Sequence, residues 1–155
     1  MNNSPIDQPD KRLLLALQLD ATQTAQQLGD ALNLSSSQAG RRKQRLENEQ
    51  FIEAYQAKLD PQKLGLTVQA LVQVEMRLHG TEHAENFRAL IKDLPQVTSA
   101  WTLTGDADYL LRVYCKDLQG LNQLIHDVLL AHQGVAKVKS QIVMDQLKSD
   151  APLPL

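Results

Sequence analysis

Leu13, Leu14 and Leu17 recur at helical spacing behind Asp7, which can cap a helix whose third residue is Asp10, until Gln18 and Asp20 break the pattern. A second helix opens at Thr24. Gln27 lies three residues on, as a capping box requires, and Ala25, Leu28 and Leu32 form one apolar face. Asn33 tolerates the left-handed geometry of a helix stop. Ser35 and Gln38 repeat the capping pattern at once and predict a third helix running to about Gln50, with Asn33 and Leu34 as the turn. Two short helices joined this tightly are a helix-turn-helix signal.

The period then changes. Residues 51–59 read as a short extended segment, and Asp60-Pro61 followed by Gly65 breaks the chain. Val68, Ala70, Val72, Val74, Met76 and Leu78 alternate with mostly polar neighbours, the two-residue period of a half-buried strand. Ala84, Phe87, Ile91 and Leu94 predict a helix over 81–94, with Pro95 beyond it. Residues 97–104 and 108–115 flank Gly105-Asp106 as a hairpin. Leu121, Ile125 and Val128 mark a helix over 118–132, and 135–147 supplies a last strand after Gly134. The order βαββαβ is ferredoxin-like: one antiparallel sheet with two helices on one face. The predicted fold is therefore α+β, with a helix-turn-helix (winged-helix-like) domain at 1–50, a linker strand and hinge at 51–65, and a second domain at 66–155.

If Val72, Trp101 and Val113 share the helix-covered face, Leu71, Ala100, Leu110 and Tyr114 lie on the open one. Water is a poor partner for such a face. A second sheet laid over it buries apolar surface at roughly 25 cal/mol per Å², which predicts a homodimer formed through the sheets.

Composition bounds the class more than the function. With 43% apolar and 22% charged residues among 155, the chain can bury a core. Its longest apolar run, residues 13–17, is far short of the roughly 18 residues a membrane span needs. The polar first eight residues lack the basic start and apolar stretch of a secretory signal, which predicts a cytoplasmic protein without a membrane partner. A single cysteine, Cys115, cannot form an internal disulfide and reads as packing.

Net charge is −2, and residues 1–60 hold seven Lys or Arg against eight Asp or Glu. Yet Arg41, Arg42, Lys43 and Arg45 fall within five positions of the third helix, behind Ser36, Ser37 and Gln38. Gln can pair with adenine and Arg with guanine, while a cation aimed at the backbone gives salt-sensitive, sequence-independent affinity for double-stranded DNA. Ser36, Ser37, Gln38, Arg41, Arg42 and Arg45 are the candidate DNA contacts. The plain alternative is a solvated helix face, against which the two capped helices weigh. Gly40 is costly inside a helix unless another backbone approaches. Lys43 falls on the inward stripe, so its stem should pack while its ammonium reaches outward.

The stretch from Ile6 to Leu14, the pieces Leu34-Ser35, Arg41-Arg42 and Arg45-Leu46-Glu47, the linker Tyr55-Gln56-Ala57-Lys58-Leu59-Asp60-Pro61, the hairpin from Thr104 to Leu111 and the tail Leu153-Pro154-Leu155 resemble, in that order, the Lrp/AsnC regulators. The resemblance implies a dimer, often an octamer, that binds DNA and responds to a small molecule, usually an amino acid, bound between sensing domains. It departs where Ala21, Asn33, Gln50 and Ala54 replace common glycines, Lys43 an aliphatic residue and Thr22 an arginine. The turns must then close without the freedom of glycine.

Gly105, Asp106, Asp108 and Tyr109 are the candidate effector residues. Two carboxylates on a glycine turn can orient an ammonium group, although turn chemistry and strand packing alone also account for them. His79-Gly80-Thr81-Glu82-His83 spells a zinc-protease spacing, but Gly80 and Thr81 read as a strand exit and a cap, so no metal or other cofactor is expected. His126 and His132 read as surface or edge residues. Two alternatives share the layout: a sirohaem-decarboxylase-like enzyme, for which no His, Arg and acid cluster can be drawn, and a regulatory module that does not touch DNA.

Overall fold

The computed structural model describes residues 6–77, 80–149 and 151–155, and the chain divides into two compact units. Met1–Lys58 with Lys148–Leu155 forms the first and Leu59–Leu147 the second.

The first unit holds α1 (Gln8–Leu19), α2 (Ala25–Leu32) and α3 (Ser36–Asn48). Each begins with a capping box: the predicted pairs Thr24 with Gln27 and Ser35 with Gln38, and also Asp7 with Asp10, which the sequence offered as a simple cap. Such a box satisfies two otherwise orphaned N–H groups per helix. Leu13, Leu14, Leu17, Leu28, Ala39 and Leu46 are buried together, with Phe51 and Ile52 against them. Each leucine so enclosed contributes about 1.5–3 kcal/mol. In the tail, Leu153 donates its N–H to Gln18 Oε1 at 2.5 Å and accepts from Gln18 Nε2 at 3.4 Å. The linker predicted as a strand is irregular over 53–58, because no strand in this unit offers it a ladder among the described residues.

The glycine-poor turns close on other residues. Asn33 and Gln50 adopt φ of 55° and 59°, the non-glycine positive values among the described residues. Asn accepts this region at little cost. Gly40, predicted to admit a neighbouring backbone, has only the Ala25 Cβ at 3.7 Å from where its own Cβ would lie. The close approach occurs at Gly29 instead. A Cβ there would stand 2.7 Å from the Leu34 carbonyl oxygen and 3.2 Å from the Ser36 nitrogen, so glycine is what lets the start of α3 lie against α2.

The second unit runs β1 (Val68–Met76), α4 (Thr81–Lys92), β2 (Val97–Thr102), β3 (Tyr109–Cys115), α5 (Leu118–Gln123) and β4 (Val135–Ile142). The strands form one antiparallel sheet in the order β2-β3-β1-β4, the predicted ferredoxin-like topology. Leu78, predicted to extend β1, lies outside the described residues. The helix predicted over 118–132 changes pitch, continuing from α5 as a π-helix over Leu124–Leu129. Phe87, Leu121, Leu124 and Leu129 fill the space over Ala70, Val72, Val74, Leu111 and Val113.

The predicted sheet faces need one correction. Val72 and Val113 do lie under the helices, but Trp101 does not join them: it stands opposite Leu110, on the open face, while Ala100 stands opposite the buried Leu111. The cause is a bulge between Val97 and Ser99. It sets Val97 against Val113 but Ser99 against Arg112, and so inverts the side-chain parity for the rest of β2. The open face thus carries Leu71, Trp101, Leu110 and Tyr114, with the Arg112 guanidinium 5.6 Å from the Trp101 ring centre. Trp101 is 42% exposed.

Candidate nucleic-acid interface and effector turn

Helix α3 presents its first turn to water. Ser36, Ser37, Gln38 and Arg41 are all exposed. Gln38 has already committed its carbonyl to the cap, its Oε1 accepting from the Ser35 N–H at 3.0 Å and from the Ser35 hydroxyl at 3.1 Å. That leaves its amide nitrogen for another partner. Arg41 reaches back to the Ser37 carbonyl, at 3.4 Å from Nε.

Arg42 and Arg45 are placed quite differently. Arg42 Nη1 donates to Asp7 Oδ1 at 2.9 Å, Asp7 Oδ2 at 2.8 Å and Asp10 Oδ1 at 2.7 Å, and Arg45 Nη2 donates to Asp10 Oδ2. Asp10 is wholly buried, so the capping box of α1 is also the anionic dock for α3. Burial pushes the Asp10 carboxyl up, but the Asp7 N–H and the guanidinium groups of Arg42 and Arg45 outweigh it and hold the group at about 2. The Arg42 guanidinium is pushed up in turn, first by Asp10 and then by Asp7. In the sequence both aspartates read as parts of a helix cap alone. A signal was present: Asp10 precedes Leu13, Leu14 and Leu17 by three, four and seven residues and so belongs to their inward stripe, where an acid must find a cation.

Lys43 is half-buried, with its Nζ 5.1 Å from the centre of the Tyr55 ring. Tyr55 donates its hydroxyl to Glu47 Oε1 at 2.8 Å, and burial with that carboxylate lifts the phenol to about 12.

In the second unit Gly105 turns the hairpin at φ 110°, and Asp106 beside it is exposed. With Gln73, Glu75, Ala107, Lys137 and Lys139, Asp106 lines a small polar hollow of about 130 Å³ on the open side of the sheet. Glu75 lies opposite Lys137 in the β1–β4 register and Gln73 opposite Lys139. The other two predicted residues turn inward. Asp108 Oδ2 accepts from the Met76 N–H at 2.6 Å, where the β1–β4 register shifts, and Tyr109 is 6% exposed with its ring 4.8 Å from that of Phe87. A larger hollow, about 770 Å³, opens at the other end of β3 among Leu94, Gln96, Tyr114, Cys115, Leu124 and Val128. Burial and Asp117 push the Cys115 thiol up, as for a packed cysteine.

Of the zinc-like spacing, His79 lies outside the described residues, and no group of three His, Cys, Asp or Glu is arranged to hold a metal ion among those described. His126 is exposed. His132 is half-buried, accepting from the Gly134 N–H at 3.1 Å and meeting Phe87 edge-on at 5.6 Å. Among the described residues no helix is long and apolar enough to cross a membrane.

A capped helix-turn-helix followed by a ferredoxin-like sheet with an open apolar face defines a two-module regulator of transcription. Residues 6–47 match the AsnC-type helix-turn-helix domain and residues 69–153 the Lrp/AsnC ligand binding domain. The chain belongs to the Lrp/AsnC family. It is 31% identical over 150 residues to the DNA-binding transcriptional activator DecR of Escherichia coli, covering 97% of this chain and 99% of that one. It is 35% identical to the Bkd operon transcriptional regulator of Pseudomonas aeruginosa, covering 96% and 98%. Among solved structures, a transcriptional regulator of Neisseria meningitidis in complex with L-Met superposes with a TM-score of 0.93 at 32% identity, covering 97% of each chain.

Proposed function

We propose that this chain is a sequence-specific DNA-binding transcriptional regulator whose output is tuned by an α-amino acid, and that it acts as a homodimer or a higher assembly such as an octamer. The observation that carries the reading is the tight α2–α3 turn, which leaves Ser36, Ser37, the Gln38 amide and Arg41 outward on a capped helix. Hydroxyls and an amide can read base edges while Arg41 holds a phosphate. Arg42 and Arg45 brace the same helix through Asp10.

For the effector, the hollow beside Gly105 and Asp106 offers two acids and two lysines, the complement of an ammonium and a carboxylate. Asp108 and Tyr109 hold the turn from beneath. The L-Met complex of the Neisseria relative supports an amino acid as the class. A dimer packed through the sheets gives Leu71, Trp101, Leu110 and Tyr114 a dry partner and sets two reading heads on one duplex. A cytoplasmic site of action follows from this role. The enzymatic alternative is not favoured, since the relatives named above are regulators.

Fluorescence anisotropy on the DNA upstream of its own coding region, against a scrambled duplex, tests the reading. Arg41→Ala should lower the slope of log affinity against log salt by about 1. In calorimetric titrations across the amino acids, Asp106→Asn should weaken binding by roughly one to two decades. Equal retention of both duplexes refutes sequence-specific binding.

A further inference from the structure

Asp7 does more than its cap requires. Capping uses one carboxylate oxygen, Oδ1, which accepts from the Asp10 N–H at 2.8 Å. Both oxygens nevertheless also lie within 2.9 Å of Arg42 Nη1. The two acids that hold Arg42 differ in kind. The Asp10 side chain is sealed from solvent, whereas that of Asp7 is 48% exposed. The first is a permanent partner and the second a replaceable one. Between Asp7 and α3 lies an open hollow of about 360 Å³ lined by Asp7, Leu34, Gln38, Arg41, Arg42 and Arg45. Three guanidinium groups around one space attract a phosphate, and the exposed carboxylate at its rim repels it.

Resting on the DNA-binding reading above, we propose that this hollow is a phosphate seat gated by Asp7. In the free protein the Asp7 carboxylate occupies the face of Arg42 that a DNA phosphate takes on binding, so the protein binds DNA more weakly than its arginines alone would allow. Asp10 keeps Arg42 in place throughout the exchange. The device gives a moderate, reversible affinity without removing any cation from the reading helix.

Asp7→Asn tests this cleanly, because Asn caps a helix as well as Asp and keeps the oxygen that accepts from Asp10, while losing the charge. In the whole chain, anisotropy on the same duplex at about 0.1 M salt should show binding tightened about fivefold, equivalent to about 1 kcal/mol. A general loss of negative charge near DNA would also tighten binding, so the measurement is repeated in an Arg42→Gln background. There the gain should vanish. Helix content by circular dichroism accompanies every variant. Unchanged or weaker binding by a folded Asp7→Asn protein overturns the gate and leaves the DNA reading standing. A gain that persists without Arg42 also overturns the gate, reducing it to general electrostatics. A parent protein that binds no duplex overturns both.

Discussion

Replacing Asp10 by Asn tests whether one buried carboxylate docks the reading helix. The side chain keeps its shape and can still accept hydrogen bonds, but Arg45 loses its ionic partner and Arg42 keeps only Asp7. The carboxyl falls from an ordinary 3.8 to about 2 in the folded protein. At 1.36 kcal/mol per unit this is worth about 2 kcal/mol at neutral pH. The sign is that of a depressed acid. Its contribution is complete above the unfolded value near 4 and is lost as pH falls towards about 2. The variant should therefore be less stable than the parent by about 2 kcal/mol at pH 7, and the two should converge between about pH 4 and 2. Hydrogen exchange followed by mass spectrometry suits the question, because peptides from α1 and α3 report on this unit while peptides from β1 and β3 serve as an internal reference. Equal protection of α1 and α3 in the two proteins at pH 7, or a difference that persists undiminished at pH 2, would refute the docking role.

Two glycines on the helical unit should respond oppositely to alanine. Gly29→Ala drives a Cβ against the Leu34 carbonyl and should cost about 1–3 kcal/mol and weaken DNA binding, whereas Gly40→Ala meets only ordinary contact and should gain up to about 1 kcal/mol; thermal melts with anisotropy decide both. Trp101→Asp places a charge on the open sheet face and should shift the assembly towards monomer in light scattering at micromolar concentration, with an unchanged mass refuting the sheet-packed dimer.

Much of the fold was legible because its signals are local and redundant. Three capping boxes, each a pair of residues three apart, set the starts of α1, α2 and α3, and the alternation through Val68, Ala70, Val72 and Val74 defined β1 without reference to any other strand. The errors fell where a neighbour decides. The parity of Trp101 depends on one extra residue between Val97 and Ser99, and alternation in β2 alone cannot reveal a register that only β3 sets. The linker is extended in sequence character, but a strand is a paired object, and this unit offers it no pair among the described residues. Gly40 and Gly29 both sit inside helices. Which of them admits a neighbouring backbone depends on where the next helix begins.

The candidate sites divide along the same line, and the division changes what each residue is for. Residue type marked Arg41, Arg42 and Arg45 as equals, and so too Asp106 and Asp108. Their partners separate them. Arg41 and Asp106 remain turned to solvent, while Arg42, Arg45 and Asp108 are engaged by Asp7, by Asp10 and by the backbone of β1. In both units, then, one charged residue faces outward beside others that fix the element carrying it. An exposed charge held on a rigid element meets a ligand without first losing the freedom of a loose one, which is how a surface of modest net charge can still discriminate. Losing an outward residue should therefore weaken one contact and leave the fold intact. Losing Arg45 or Asp108, whose partners are internal, should lower stability first and binding only as a consequence, so parallel measurement of both quantities separates the two roles.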